Sequence, residues 1–337
     1  MKNERETYID LYRGIGVILM VMGHMKFMYV PNGIGQIVFD SFEHYIHAFH
    51  MPMFFFLSGF CHKKSDATLR TVVVKQAKKL LIPYFIFGIM QYIMWRLYIG
   101  DSITPLINLF WINTDGLAIA GALWFLTALF FVIVFYAFIE RFTDNNAIQS
   151  VVVVIISLIG CLLPKIVSYR LPYAIDVAFV GLGFYYLGFI LKEYKDNKAV
   201  DRVLNPNAFE LAIFGVINIF LIMYNSSVNM RTAKYDFIPL FGVNAIMAII
   251  LGMRLCKMAC CNISGPAIQI IIKWISELGI NGLIYVCFNQ LIITISSRVL
   301  EKVFESRVIY NILLVIVSFI ALRVAVIGKN RLSNRKA

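Results

Sequence analysis

Apolar runs of about 20 residues recur along the whole chain, and no other feature restricts its fold as strongly. "GALWFLTALFFVIVFYAF" (121–138) and "VVVVIISLIGCLL" (151–163) are examples. A run of that length crosses a bilayer as a helix. Within hydrocarbon the backbone must satisfy its own hydrogen bonds, which a helix does segment by segment. Spans are expected near 12–30, 43–61, 80–99, 118–140, 148–164, 173–191, 208–224, 236–255, 279–297 and 308–328. Composition agrees. The 337 residues are 60% hydrophobic and 15% charged, with a mean hydropathy of +0.77, whereas soluble domains carry about 25% charged residues. The expected fold is all-α: a polytopic membrane bundle of about ten transmembrane helices, forming a single membrane domain over 1–337. Residues 103–112 are too short to cross and are expected at the interface. Residues 266–278 form an amphipathic pattern expected to lie on the surface. No repeat of 20–50 residues and no soluble domain is evident.

The net charge of +12 does not point to nucleic acid, because the basic residues sit in short loops between apolar runs rather than on one face. They act as topology signals. With the N-terminus inside, twenty lysines and arginines fall on the inner side and seven on the outer. The outer loops 31–42 and 100–117 carry none. By the positive-inside rule both termini are expected in the cytoplasm of a multi-pass protein of the cell membrane. Lys2 and Arg5 precede an apolar stretch as in a signal peptide, but no small-residue cleavage site comes after it, and Arg13, His24 and Lys26 interrupt the run. An uncleaved first span is therefore expected. Six cysteines are scattered, and Cys256, Cys260 and Cys261 lack a second pair at zinc-site spacing. No metal is expected.

Ionisable groups inside such spans are costly and mark candidate functional positions. The first span holds Arg13 and His24. Eleven residues make about three helical turns, so the two side chains would share a face, roughly 16 Å apart along the axis. A permanent cation near the inner boundary and a titratable ring deeper in suit an elongated anionic ligand entering from the cytoplasm. The plainer alternative is that Arg13 snorkels to headgroups and His24 bonds a neighbouring helix. The second span holds His44, His47 and His50 together with Pro52. Proline removes a helical hydrogen bond, so this span is expected to be irregular or broken, with His50 beside a hydrated cavity. His44 and His47 taken alone fit interfacial packing. Before the third span, "VKQAKKLLIPYF" (74–85) clusters Lys75, Lys78 and Lys79. The positive-inside rule accounts for their sign, and point charges of this kind also suit phosphate groups. There is no G-x-S-x-G and no H-E-x-x-H.

At these residues the chain resembles the membrane-bound acyltransferase-3 family, closest to its fucose 4-O-acetylase-like branch. The resemblance rests on "RGIGVILMVMGH" (13–24), "FHMPMFFFLSGF" (49–60), "KQAKKLLIPYF" (75–85) and "GALWFLTALFF" (121–131). A later segment, "ISELGINGLIYVCFNQLI" (275–292), also matches, with Asn289 where many members have histidine. The resemblance implies transfer of an acyl group, most often acetyl, from acyl-CoA to a carbohydrate hydroxyl of a surface glycan or glycolipid precursor. Acyl-CoA would be a donor substrate, with no tightly bound cofactor. It implies catalytic roles for His24, Arg13 and His50, and donor binding by Arg13, Lys75, Lys78 and Lys79. His24 would be the general base, and His50 would orient it, donate to the oxyanion or relay protons. Transfer would be direct or would pass through an acyl-histidine. The rival expectation is a transporter or flippase for a lipid-linked sugar, which would also place polar groups along a path through the bundle.

Overall fold

The computed structural model describes residues 7–114, 116, 117, 119–225, 228–262 and 265–334. Lys2, Arg5, Arg335 and Lys336, counted above as inner charges, lie outside the described residues. The chain is helical nearly throughout. Helix α1 spans Thr7–Met22, α2 Ile34–Phe60, α3 Leu69–Gln76 and α4 Ile82–Tyr98, with one wide π turn, Ala77–Leu81, joining α3 to α4. Next come α5 (Thr104–Phe110), α6 (Trp124–Phe142), α7 (Asn146–Ile166), α8 (Ile175–Glu193), α9 (Lys198–Leu204) and α10 (Ala208–Tyr224). A short antiparallel hairpin, β1 (Val228–Asn229) and β2 (Lys234–Tyr235), leads into α11 (Ile238–Asn262). Helices α12 (Pro266–Ile280), α13 (Gly282–Val303) and α14 (Arg307–Asn334) complete the chain.

Each expected span coincides with one of these helices. Seven are long and apolar enough to cross a bilayer, and α9 with α10, bent by 64° at their junction, forms an eighth candidate. The remaining two, α1 and α2, are the ones that carry the ionisable residues. The protein is an all-α, multi-pass membrane bundle. Its lipid-facing surface is apolar: Val151, Val154, Ile155, Leu158 and Ile159 all point outward from α7. Helix starts obey local sequence. Asn145 accepts from the amides of Ala147 and Ile148, and Asn207 forms a reciprocal capping box with Glu210.

One feature differs from expectation. Helix α2 runs unbroken through Pro52. Its neighbours hold it straight enough to continue: α8, α1 and α11 pack along it, and buried Met53, Phe55, Phe56 and Leu57 lock the turns beyond the proline. Segment 266–278 is a surface helix, as its pattern implied, with Ile272, Ser276 and Leu278 buried. Helix α12 packs one face on α1, so closely that a side chain at Gly14 would meet the Ile275 backbone and one at Gly279 would meet that of Asp10. Its other face exposes Ile268, Ile270, Ile271 and Trp274. A similar glycine contact joins α2 to α8, where a Cβ at Gly59 would strike the Tyr185 backbone and one at Gly188 that of Phe56. Small residues let membrane helices approach until their backbones touch.

The connections gather at two ends of the bundle. At one, Arg141 donates to the Ala67 carbonyl, Lys64 meets Glu193 at 3.4 Å, and Asn146 bonds the Tyr194 hydroxyl at 2.9 Å. At the other, Tyr173 donates its amide to Trp111 at 2.9 Å, Arg170 donates to the Arg231 carbonyl at 3.0 Å, and Arg231 Nε donates to the Thr114 carbonyl at 2.8 Å. The stretch after α1 is fixed at this second end. Asn311 pairs with the Met28 amide and carbonyl at 2.8 and 2.9 Å, and Tyr310 donates to the Lys26 carbonyl at 3.0 Å.

Candidate active site

A cavity of about 880 Å³ runs through the bundle. Helix α6 gives its length, because Trp124, Phe125, Leu129, Ile133, Ala137 and Glu140 all line it. Trp124 and Glu140 are sixteen residues apart, or about 24 Å at ~1.5 Å per residue. The wall at one end includes Lys63, Lys75, Lys79 and Arg141, and the wall at the other includes Glu43, His47, Asn229 and Arg231.

Arg13, His24 and His50 all line this cavity. Arg13 projects from α1, donates to the Leu57 carbonyl at 3.1 Å and stands 3.7 Å from Asp10. It is therefore tethered to the far end of α2, on the lysine side of the histidines. His24 lies just past the end of α1 and lines the same cavity as Arg13. Helix α1 ends at Met22, and the amides of His24 and Met25 bond three residues back, at 3.1 Å each. This tightened last turn satisfies carbonyls that the helix end would leave open. The His24 ring closes another, its Nδ1 lying 2.6 Å from the Met20 carbonyl. A carbonyl oxygen only accepts, so in the neutral ring Nδ1 carries the proton and Nε2 keeps a lone pair.

His50 repeats this arrangement from within α2. It is buried, and its Nδ1 lies 2.8 Å from the Ile46 carbonyl, which again makes Nε2 the basic nitrogen. His47 is the next ring along, 5.7 Å from His50 between centroids and 3.9 Å from the Glu43 carboxylate. His24, His47 and His50 lie close enough to influence one another electrostatically. His47 thus lines the cavity. His44 does not line it; its Nε2 faces the Ile222 carbonyl at 3.0 Å and ties α2 to α10.

The three lysines separate. All three are exposed, but Lys75 and Lys79 line the cavity and Lys78 is not part of its wall. Residues four apart share a helix face, whereas adjacent Lys78 and Lys79 project in different directions. Asn289 is fully buried on α13 and is not part of the cavity wall.

Sequence reasoning missed several wall residues. His62, just beyond α2, bonds the Tyr185 hydroxyl at 2.8 Å through Nδ1 and faces Glu140 at 3.1 Å through Nε2. Arg231 counted only as an outer-loop charge, yet it lines the cavity and acts electrostatically on His24. His62 had a legible signal in its position beside Lys63 at a span end. Arg231 had none, because only the packing of the hairpin turns it inward.

Comparison with known proteins agrees with this architecture. An 85-residue segment, 24% of this chain and 23% of the relative, is 33% identical to nodulation protein NolL of Sinorhizobium fredii (strain NBRC 101917 / NGR234). The matched segment thus spans about a quarter of that protein. The profile of the acyltransferase domain (Acyl_transf_3) matches residues 6–327, from the start of α1 to the last turns of α14, so the chain belongs to the acyltransferase-3 family.

Proposed function

We propose that this protein is a membrane O-acyltransferase that moves an acyl group, acetyl in the simplest case, from acyl-CoA to a hydroxyl of a carbohydrate or glycolipid. The observation that carries this reading is the convergence of Arg13, His24, His50, Lys75 and Lys79 on one elongated cavity, combined with membership of an acyltransferase family. The donor's phosphates meet Lys75 and Lys79, with Lys63 and Arg141 beside them. The pantetheine arm passes Arg13 and delivers the thioester to His24. With both termini and the 61–68 connection in the cytoplasm, the donor enters from that side.

At His24, Nε2 takes the proton of the acceptor hydroxyl as its oxygen attacks the thioester carbonyl. The C–S bond then breaks, and the imidazolium returns the proton to the departing thiolate. The helix-end carbonyl on Nδ1 supports this cycle by stabilising the transient positive charge. For His50, Nδ1 is held by the Ile46 carbonyl, so Nε2 is the atom that would relay a proton or, once protonated, donate to the oxyanion. The same His24 nitrogen would carry the acyl group in a covalent route; radiolabel retained on acid-quenched protein separates that route from direct transfer.

The test is incubation of the purified protein with radiolabelled acetyl-CoA and a panel of surface glycans. Label that becomes attached to glycan and is released by mild base is the expected result. Movement of lipid-linked sugar without any label transfer would establish the transporter alternative.

A further inference from the structure

The β1–β2 hairpin is the only strand pair among the described residues, and Asn229, Met230 and Arg231 of it line the cavity. Paired strands satisfy each other's backbone, so a hairpin can lie over a bundle end without orphaned amides. Val228, Met230, Ala233 and Tyr235 are buried, and the Tyr235 ring stacks on Phe241 at 5.1 Å. Arg170 holds the Arg231 carbonyl, and Arg231 Nε holds the Thr114 carbonyl. The guanidinium is fixed at its inner nitrogen and packs beside Gly121, where an added methyl group would stand 3.0 Å from Nη1. Asn229 and Arg231 enter the cavity wall from this hairpin, Glu43 enters it from α2, and Trp124 lines it from the start of α6.

These groups lie at the end of the cavity away from Lys63, Lys75, Lys79 and Arg141. A donor whose anionic head is held by the lysines reaches the histidines first, so the hairpin is left to meet the other substrate. The chemistry of the three polar side chains is consistent with a sugar. A carboxylate, an amide and a guanidinium are planar groups with paired hydrogen-bonding atoms, which match adjacent hydroxyls on a pyranose ring, and an indole presents an apolar face to the ring's C–H side. Among the described residues of the wall, this end carries one cation, Arg231, and one carboxylate, Glu43.

We infer that the Val228–Tyr235 hairpin with Glu43 forms the acceptor subsite, in which Asn229, Arg231 and Glu43 hydrogen-bond the hydroxyls of a sugar and select which one reaches His24. This inference rests on the acyl-transfer reading and deepens it. The acceptor then approaches from the end opposite the donor, and the hairpin decides acceptor specificity.

Two measurements on the full-length protein in nanodiscs test this. The first is binding of the methyl glycosides of glucose, galactose, mannose, fucose and N-acetylglucosamine, read by saturation-transfer NMR. Wild type should bind at least one. Arg231→Gln should weaken that binding by about tenfold, the effect of losing one charge-assisted hydrogen bond, and Asn229→Ala by about fivefold, the effect of losing a neutral one. The second is steady-state transfer from acetyl-CoA to the sugar that binds. The KM for sugar should rise by a similar factor while the KM for acetyl-CoA stays constant, which also shows that the variants are folded. Asn229 is half-buried and makes the milder change if Arg231→Gln fails to insert. Failure of every glycoside to bind wild type, or equal binding by wild type and both variants, overturns the subsite. Sugar binding that depends on the hairpin but occurs without acetyl transfer leaves the subsite standing and overturns the acyl-transfer reading instead.

Discussion

At the scale of single residues, the site depends on how two imidazoles are oriented. A histidine whose Nδ1 faces water can adopt either tautomer, so its basic nitrogen is not fixed. His24 and His50 each place Nδ1 against a backbone carbonyl four residues earlier, at 2.6 and 2.8 Å, and each keeps Nε2 for chemistry. His24→Gln keeps a polar group of similar reach but cannot take a proton. It should lower transfer by about 10²-fold or more, the usual worth of a general base, with insertion and donor KM near normal. Initial rates with radiolabelled acetyl-CoA check this. Near-normal glycan acetylation by His24→Gln would remove the base from the first span. The presence of Arg13, His24 and His50 in one cavity was legible from residue type, because ionisable groups within apolar runs are rare. The position of His24 beyond the helix end was not, since an eleven-residue spacing assumes a helix that the chain stops two residues earlier.

At the scale of elements, the junction of α3 and α4, with its π turn at 77–81, has the clearest consequence. Lys75 and Lys79, four residues apart, share a helix face, whereas adjacent Lys78 and Lys79 project in different directions. Lys75 and Lys79 line the cavity wall and Lys78 is not part of it. Lys75→Gln with Lys79→Gln should therefore raise the KM for acyl-CoA several-fold with little change in kcat, because contacts to non-reacting phosphates hold ground and transition states alike. Lys78→Gln alone should leave both constants unchanged. An equal effect of all three substitutions would assign the lysines to bulk surface charge. Such a turn has no simple sequence signature, and neither does the persistence of α2 through Pro52. Periodicity located both helices, but only neighbouring helices determine whether a wide turn or a proline is accommodated.

At the scale of the whole molecule, the bundle was legible because hydropathy and loop charge both act over long stretches of chain. Every expected span has its helix, and short α5 falls where a non-crossing segment was expected. The seating of α12 against α1 was not legible, because an apolar stripe does not reveal whether it faces lipid or protein. Orientation is tested by single cysteines in a cysteine-free background. Gly33→Cys and Ser102→Cys should react with an impermeant maleimide added outside intact cells, and Ser65→Cys should not. External labelling of position 65 would reverse the bundle and place the lysine end of the cavity outside.

The cavity wall draws residues from both ends of the bundle, and this has an electrical consequence. In a membrane protein hollowed from both sides, the resting voltage does not fall evenly over the full thickness. On the acyl-transfer reading, donor and acceptor fill this one cavity from its two ends, and the voltage falls across the dry layer where they meet, at His24 and His50. A full elementary charge crossing that layer exchanges about 2.3 kcal/mol with the field per 100 mV. A proton passed between these rings during turnover would travel part of that drop, so the rate of the chemistry would be coupled to the energised state of the cell.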